Sequence, residues 1–187
     1  VDMYPVIEIA QEHDLFIVED AAEAHGAEYK GRKAGGMGHL SCFSFYANKI
    51  ITTGEGGMVL AQSDEHAERA RSIRNLCFRP ERRFYHTEMG NNYRLTNIQA
   101  AIGVAQIEQI DEHIRRKRWI GHAYTERLHD LPQISLPVEA PWAKNVYWMY
   151  GLVLSDDVRC DAAEFARRLK MEGVETRPFF VGMHEQP

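Results

Sequence analysis

Lys49 is the residue whose place in the sequence most suggests chemistry. It follows the largely apolar residues 40–46, precedes a glycine turn, and is the only Lys or Arg between Lys33 and Arg69. A partly desolvated lysine can attack a carbonyl as the free amine, which is what a Schiff-base lysine does. An ordinary surface lysine is the alternative interpretation.

Asp20 is the second candidate, because it directly follows the apolar run of residues 15–18. If that run is a parallel strand, Asp20 lies at its carboxyl end, where open α/β sheets bind ligands. Aspartate also caps helices well, so a helix N-cap remains an equally open interpretation at this point.

Several other kinds of active site have no sequence signature here. The chain lacks the dinucleotide pattern GxGxxG, the phosphate-loop pattern GxxxxGK[ST], the GxSxG elbow and the HExxH metal motif. Its nine histidines are dispersed, and no metal site is predicted.

The composition describes an ordinary globular protein. The 187 residues include 22 Lys and Arg against 27 Asp and Glu, a net charge of −5, so nucleic acid is not an expected partner. Three widely separated cysteines fit a reducing cytosol. No apolar run approaches the roughly 20 residues of a membrane span, so we expect a cytoplasmic protein without a membrane contact.

The elements that must position Lys49 and Asp20 follow from periodicity. Residues 7–13 are predicted to be the end of a first helix. Three strands are predicted after it, at residues 15–18, 40–46 and 57–61, and the first of them is expected to be buried on both faces. A helix is predicted over residues 64–77. Thr96 and Gln99 have capping-box spacing, which predicts a long helix that runs, with a bend, to Leu131.

Residues 132–141 contain three prolines and predict a domain boundary. We therefore assign residues 1–131 to a large domain with a long interdomain helix, and residues 132–187 to a small domain. The second part is predicted to contain a strand at 146–154, a helix at 161–173 and a strand at 174–177.

Three motifs, in this order, resemble the DegT family of nucleotide-sugar aminotransferases. They are Glu19-Asp20-Ala21-Ala22-Glu23-Ala24, then Ser44-Phe45 with Asn48-Lys49 and Thr52-Thr53-Gly54-Glu55-Gly56-Gly57, then Asn92-Tyr93-Arg94. Each motif alone is weak, but three in register are specific. The second motif is most similar to the GDP-perosamine synthase branch of the family.

The resemblance implies a fold and a cofactor. The fold is α/β, fold type I of pyridoxal phosphate (PLP)-dependent transferases, with a mainly parallel sheet in the large domain and a smaller C-terminal α+β domain. The chain is expected to be a fragment of such a protein, because it starts at Val1-Asp2-Met3 and stops at Pro187 without a turn or cap.

The resemblance also implies roles for the cofactor-binding residues. Lys49 would carry PLP covalently and move a proton during the reaction. Asp20 would pair with the pyridine nitrogen, Glu23 would lie near the ring and its phenolic oxygen, and Ser44 would give a hydroxyl to the phosphate.

Three further residues would act on the substrate or on a second subunit. Asn92 would reach the phosphate of the partner subunit's cofactor, which implies a homodimer. Arg94 would meet the carboxylate of the amino donor or the substrate, and His184 would lie on the substrate side.

The reaction that the resemblance implies is transfer of an amino group from an amino acid, expected to be glutamate, to a 4-keto-6-deoxy nucleotide sugar. One alternative is the related PLP-dependent sugar 3-dehydratase, which has His in place of the lysine, so Lys49 argues against it. The other is a PLP-fold fragment without catalysis that acts as an interaction subunit.

Overall fold

The computed structural model describes all 187 residues, which form two compact units. The first unit contains residues 1–119 and 139–148, and the second contains residues 120–138 and 149–187. The domain boundary that the sequence suggests after Leu131 stays a prediction for the complete protein.

The structure contains five α-helices, ten short strands and a single 3-10 turn. In chain order these are α1 (Met3–Glu12), β1 (Val18–Asp20), β2 (Glu28–Tyr29), β3 (Arg32–Lys33), β4 (Leu40–Ser44), β5 (Gly57–Ala61), α2 (Asp64–Arg74), β6 (Phe78–Arg79), β7 (Arg82–His86), α3 (Asn97–Ile107), α4 (Ile110–Leu128), β8 (Ile134–Ser135), β9 (Ala143–Lys144), β10 (Val153–Leu154), α5 (Ala162–Met171) and the 3-10 turn Met183–Glu185.

The main sheet has the order β1, β4, β5. Strand β1 is parallel to β4, with Asp20 beside Cys42, and β4 is antiparallel to β5, with Ser44 beside Gly57. The carboxyl ends of β1 and β4 therefore lie at the same edge of the sheet, which places the loops after Asp20 and after Ser44 next to each other.

The first predicted strand differs from the structure. Strand β1 begins at Val18, after most of the apolar run, and the Val18 side chain is 57% exposed rather than buried on both faces. Within this chain β1 pairs with a single strand, β4. The strands predicted at residues 40–46 and 57–61 are found as β4 and β5.

Glu19 holds the loop that leads into β4. Its carboxylate accepts hydrogen bonds from the backbone amides of Gly35, at 2.8 Å, and of Met37 and Gly38. Gly35 has φ +84°, and a Cβ there would lie 2.3 Å from the ring of Phe43, so this tight approach requires glycine.

The helices largely follow the sequence prediction. The Thr96 hydroxyl accepts from the Gln99 amide at 3.2 Å, and the Gln99 side chain accepts from the Thr96 amide at 3.0 Å, which confirms the capping box. The long helix breaks between Ile107 and Ile110 into α3 and α4. Helix α2 ends at Arg74, earlier than predicted, because Leu76 and Cys77 adopt positive φ values of 65° and 48°.

The core of the first unit packs the loop after β4 against α4 and the segment before β10. Its buried members are Ile50, Ile51, Ile114, Val146 and Trp148. The strand predicted at 146–154 is reduced to β10. Residues 146–148 are buried consecutively instead of pairing with a strand, and Tyr147 between them has a positive φ of 47°.

In the second unit, β10 pairs antiparallel with β8. Helix α5 is capped by Asp161, whose carboxylate accepts from the Glu164 amide at 2.8 Å. The strand predicted at 174–177 is absent, and these residues are exposed. None of the helices combines the length and the apolar character needed to cross a lipid bilayer.

Candidate active site

Lys49 lies in the loop after β4, and a backbone hydrogen bond joins the two ends of this loop. The Thr53 amide donates to the carbonyl oxygen of Phe45 at 2.9 Å, so the chain returns to the sheet after Lys49. Ile50 and Ile51, which directly follow Lys49, belong to the core cluster and are 8% and 4% exposed. The Lys49 side chain is also largely covered and only 11% exposed.

The Lys49 ammonium has two partners. Its Nζ lies 2.9 Å from Oε1 of Glu23, so the two side chains form an ion pair. The Glu23 side chain is 43% exposed. Nζ also lies 4.0 Å from the centre of the Trp148 ring, a cation–π contact. Lys49 is therefore held between a carboxylate and an aromatic face rather than pointing freely into solvent.

Trp148 is fixed by contacts of its own. Its indole Nε1 donates to the carbonyl oxygen of Asn48 at 2.9 Å. The Lys117 ammonium, on α4, donates to the Trp148 carbonyl oxygen at 2.9 Å, and burial lowers the pKa of Lys117. Nothing in the local sequence indicated Trp148, which is 100 residues from Asn48 along the chain.

Asp20 ends β1 on the same edge of the sheet. Its Oδ1 accepts from the Ala22 amide at 3.1 Å, and the side chain is exposed. The helix N-cap interpretation is wrong, because residues 21–27 form turns rather than a helix. The carboxylate is free to meet a ligand with its remaining lone pairs.

Glu23 follows Asp20 within the same turns, so one short segment supplies both carboxylates. Ser44, the last residue of β4, accepts from the Tyr46 amide at 3.2 Å through its hydroxyl oxygen. This leaves the hydroxyl hydrogen available to an acceptor such as a phosphate oxygen.

His25 is a buried neighbour that the sequence analysis missed. It is 4% exposed, lies near Phe43 and Phe45, with ring centres 5.2 Å and 5.8 Å away, and neither of its ring nitrogens has a hydrogen-bond partner. Burial, and next the nearby Lys49 ammonium, hold the pKa of His25 below its usual value. The lowered pKa favours the neutral form of His25 at this buried position.

Asn92 and Arg94 lie elsewhere on the first unit. Asn92 is exposed and forms an isolated β-bridge with Asn75, just after α2. Arg94 is exposed and donates to the Asn75 side chain at 2.9 Å. Neither residue makes a hydrogen bond or ion pair with Asp20, Glu23 or Lys49 of the same chain.

His184 belongs to the second unit. It lies in the 3-10 turn Met183–Glu185, is exposed, and its Nε2 is 3.5 Å from a carboxylate oxygen of Glu185. Its expected role on the substrate side stays a prediction.

The chemistry of these side chains fits PLP. A lysine amine can condense with its aldehyde, a carboxylate at a strand end can pair with a pyridinium N–H, and a hydroxyl can donate to a phosphate. Lys49, Asp20 and Ser44 are residues of these three types at one edge of one sheet. No group of three or more His, Cys, Asp or Glu side chains is arranged to hold a metal ion.

A family model matches the whole chain, residues 1–187, and describes the DegT/DnrJ/EryC1/StrS aminotransferase family. The chain belongs to this family. The family's aminotransferases depend on PLP, and its solved structures have fold type I, so the predicted fold class is confirmed.

Two curated DegT relatives are similar along the entire chain. GDP-perosamine synthase of Caulobacter vibrioides is 42% identical over 187 residues, which cover 100% of this chain and 50% of the relative. GDP-perosamine synthase of Escherichia coli O157:H7 is 39% identical over 186 residues, with the same coverage of 100% and 50%. The chain thus spans about half the length of the curated relatives it matches.

Solved structures of the family show the same fold. The structure of DesV from S. venezuelae, in complex with a ketimine intermediate, superposes with a TM-score of 0.89 at 35% identity. The match covers 100% of this chain and 49% of DesV. The resemblance to the DegT family inferred from three motifs is thereby confirmed over the whole chain.

Proposed function

We propose that the protein is a PLP-dependent sugar aminotransferase that moves an amino group from glutamate to the 4-keto group of a GDP-linked 6-deoxy sugar. The observation that carries the proposal is the setting of Lys49, 11% exposed and paired with Glu23 at 2.9 Å. The cofactor would supply an aldehyde for the lysine and a ring that accepts electrons from the bond being broken.

Lys49 has the chemical task of holding the cofactor and then moving a proton. The free amine of Lys49 would act as the base that takes the α-proton of the amino donor. Glu23 holds the same nitrogen, so it keeps the amine near the reacting carbon. The buried Ile50 and Ile51 restrict water from the covered side.

Asp20 and Ser44 would orient the cofactor from opposite ends. The Asp20 carboxylate would accept from the protonated ring nitrogen, which maintains the ring's capacity to withdraw electrons. The Ser44 hydroxyl would donate to the phosphate. Both residues sit on strand ends, so their positions are set by the sheet.

Asn92, Arg94 and His184 would complete the site in the assembled protein. Asn92 makes no contact with the Lys49 region of its own chain, which supports a role in the partner subunit of a homodimer. Arg94 would bind the donor carboxylate or the sugar nucleotide, and His184 would lie on the substrate side. The cytoplasmic location stays a prediction.

The choice of a GDP-linked 4-keto sugar is supported by relatives at 42% and 39% identity that are GDP-perosamine synthases. The amino donor is proposed to be glutamate. Both are proposals for the complete protein.

The test supplies the full-length protein with PLP, ¹⁵N-labelled glutamate and a GDP-linked 4-keto-6-deoxyhexose. Product analysis is expected to show a labelled amino group at C4. Borohydride reduction and peptide mapping should place the cofactor on Lys49, with Lys33→Ala as an exposed-lysine control that keeps the label. Loss of the 3-hydroxyl would instead identify a dehydratase, and a cofactor on another lysine would remove the proposed role of Lys49.

A further inference from the structure

We propose that Trp148 is a positioning residue for Lys49: its indole face holds the lysine Nζ against Glu23 and limits the positions that the amine can take. The inference rests on the proposed function in one respect, namely that Lys49 is the residue that binds PLP. The contact itself is a property of the first unit, which contains both residues.

The geometry around Nζ leaves few alternatives for the amine. The ring centre of Trp148 is 4.0 Å away, Oε1 of Glu23 is 2.9 Å away, and the Lys49 side chain is only 11% exposed. A lysine has a flexible four-carbon stem and is ordinarily free to turn at the surface. Here an aromatic wall and a carboxylate restrict it from two sides.

Trp148 is rigid enough to act as that wall. It is 9% exposed in the core cluster, and its Nε1 donates to the carbonyl oxygen of Asn48 at 2.9 Å. The same indole therefore holds the backbone just before Lys49 and faces the lysine side chain. The hydrogen bond from the Lys117 ammonium to the Trp148 carbonyl oxygen, 2.9 Å long, joins the Trp148 backbone to α4.

A held amine should react with the cofactor faster than a free one. Reactions between groups that are already oriented avoid the entropy loss of finding the geometry. The ring also covers Nζ, so a small reagent that attacks amines without orientation should reach it more slowly. Removal of the Trp148 ring should therefore slow the capture of PLP by Lys49 and speed the labelling of Lys49 by a small reagent.

The first measurement compares wild type, Trp148→Phe and Trp148→Leu in the full-length protein stripped of cofactor. The rate constant for PLP capture on Lys49 is followed by absorbance and checked by borohydride mapping. Trp148→Leu is expected to slow capture roughly five- to thirtyfold, because the amine then loses part of its pre-orientation and must find the reactive geometry. Trp148→Phe retains a ring and should lie between the two.

The second measurement uses no cofactor. The proteins are treated briefly with an acylating reagent, and the labelled fraction of Lys49 is determined by mass spectrometry. Lys49 should be labelled faster in Trp148→Leu than in wild type, and at an intermediate rate in Trp148→Phe.

Ile114→Ala separates positioning from core packing. Ile114 belongs to the same cluster, so Ile114→Ala loosens the core without removing the indole ring or its hydrogen bond to Asn48. At a temperature where all variants are folded by circular dichroism, Ile114→Ala should capture PLP at close to the wild-type rate.

Equal capture and equal labelling in all three Trp148 proteins would overturn the proposal, as would an Ile114→Ala variant that matches Trp148→Leu. If wild type captures no PLP on Lys49, the proposed function fails. The acylation comparison then still decides whether Trp148 holds the lysine.

Discussion

Lys49 and Glu23 form an ion pair with 2.9 Å between Nζ and Oε1, although 26 residues separate them in the sequence. Glu23 lies in the turns after β1, and Lys49 lies in the loop after β4. The two meet because β1 and β4 are parallel neighbours whose carboxyl ends share one edge of the sheet. The same edge carries Asp20 and Ser44.

Replacing Glu23 tests what the ion pair does. Glu23→Ala should reduce the fraction of Lys49 that retains PLP and lower the free energy of unfolding by about 1 kcal/mol, because a charged hydrogen bond is lost at a partly exposed site. Glu23→Gln keeps an oxygen that can accept from Nζ and should retain most of the cofactor. The measurements are borohydride mapping and denaturant unfolding, and equal PLP retention in Glu23→Ala and wild type would contradict the prediction.

Asp20→Asn separates charge from folding. Asparagine keeps an Oδ1 that can accept from the Ala22 amide, so the fold should be preserved, whereas the negative charge opposite the ring nitrogen is lost. Single-turnover transamination with glutamate should slow by at least about a hundredfold, as expected when charge stabilisation in a site is removed. Asp20→Leu, which loses both functions, is the matched control for folding, measured by thermal unfolding.

A near-normal single-turnover rate in Asp20→Asn would reduce Asp20 to a turn-forming residue. A slow rate accompanied by a large loss of thermal stability would point to the turn rather than to the charge.

His25 predicts a pH dependence of stability. Burial and the nearby Lys49 hold the folded-state pKa of His25 below the usual value of 6.5. As pH falls below 6.5, the unfolded chain takes up a proton that the folded chain does not. The free energy of unfolding should therefore decrease, by at most about 1.4 kcal/mol per pH unit for this one group.

His25→Phe should remove this part of the pH dependence, since a phenyl ring is aromatic like its neighbours Phe43 and Phe45 and does not titrate. The measurement is urea unfolding between about pH 7.5 and 5.5, where linkage predicts the difference. His13→Gln, at an exposed histidine, is the control. If the free energy of unfolding depends on pH equally in His25→Phe and wild type, protonation of His25 does not destabilise the folded protein and the prediction is wrong.

Complementation tests the shared site of the proposed homodimer. Lys49→Ala chains and Asn92→Ala, Arg94→Ala chains should each be inactive alone. When they are mixed, one site of every heterodimer has its own Lys49 and an intact partner loop, so statistical pairing in a two-fold dimer should restore about a quarter of the wild-type activity. Heterodimers are confirmed by native mass spectrometry.

A mixture that stays inactive while heterodimers form would mean that Asn92 and Arg94 do not act in the partner's site. Their contacts with Asn75 at the end of α2 would then be their main role.

The candidate site residues could be proposed from the sequence because the patterns that single them out are local. Lys49 between an apolar strand and a glycine turn, Asp20 at a strand end, and the Thr96 capping box each depend on neighbours a few residues away. The strands β4 and β5 and the helix pair α3 and α4 were found for the same reason. The exposure of Val18 in β1 was missed, because an apolar run does not reveal whether other elements cover the faces of the strand.

Trp148 and His25 could only be recognised in the folded chain. Trp148 resembles any apolar residue of a strand until the core cluster brings it 4.0 Å from the Lys49 ammonium. His25 is one of nine dispersed histidines until the two phenylalanines of the β4 region bury it. Contacts of this kind join segments far apart along the chain, so no local pattern encodes them. They arise from the packing of β4, its loop and α4 around one core, which decides which side chains surround the lysine and how freely it moves.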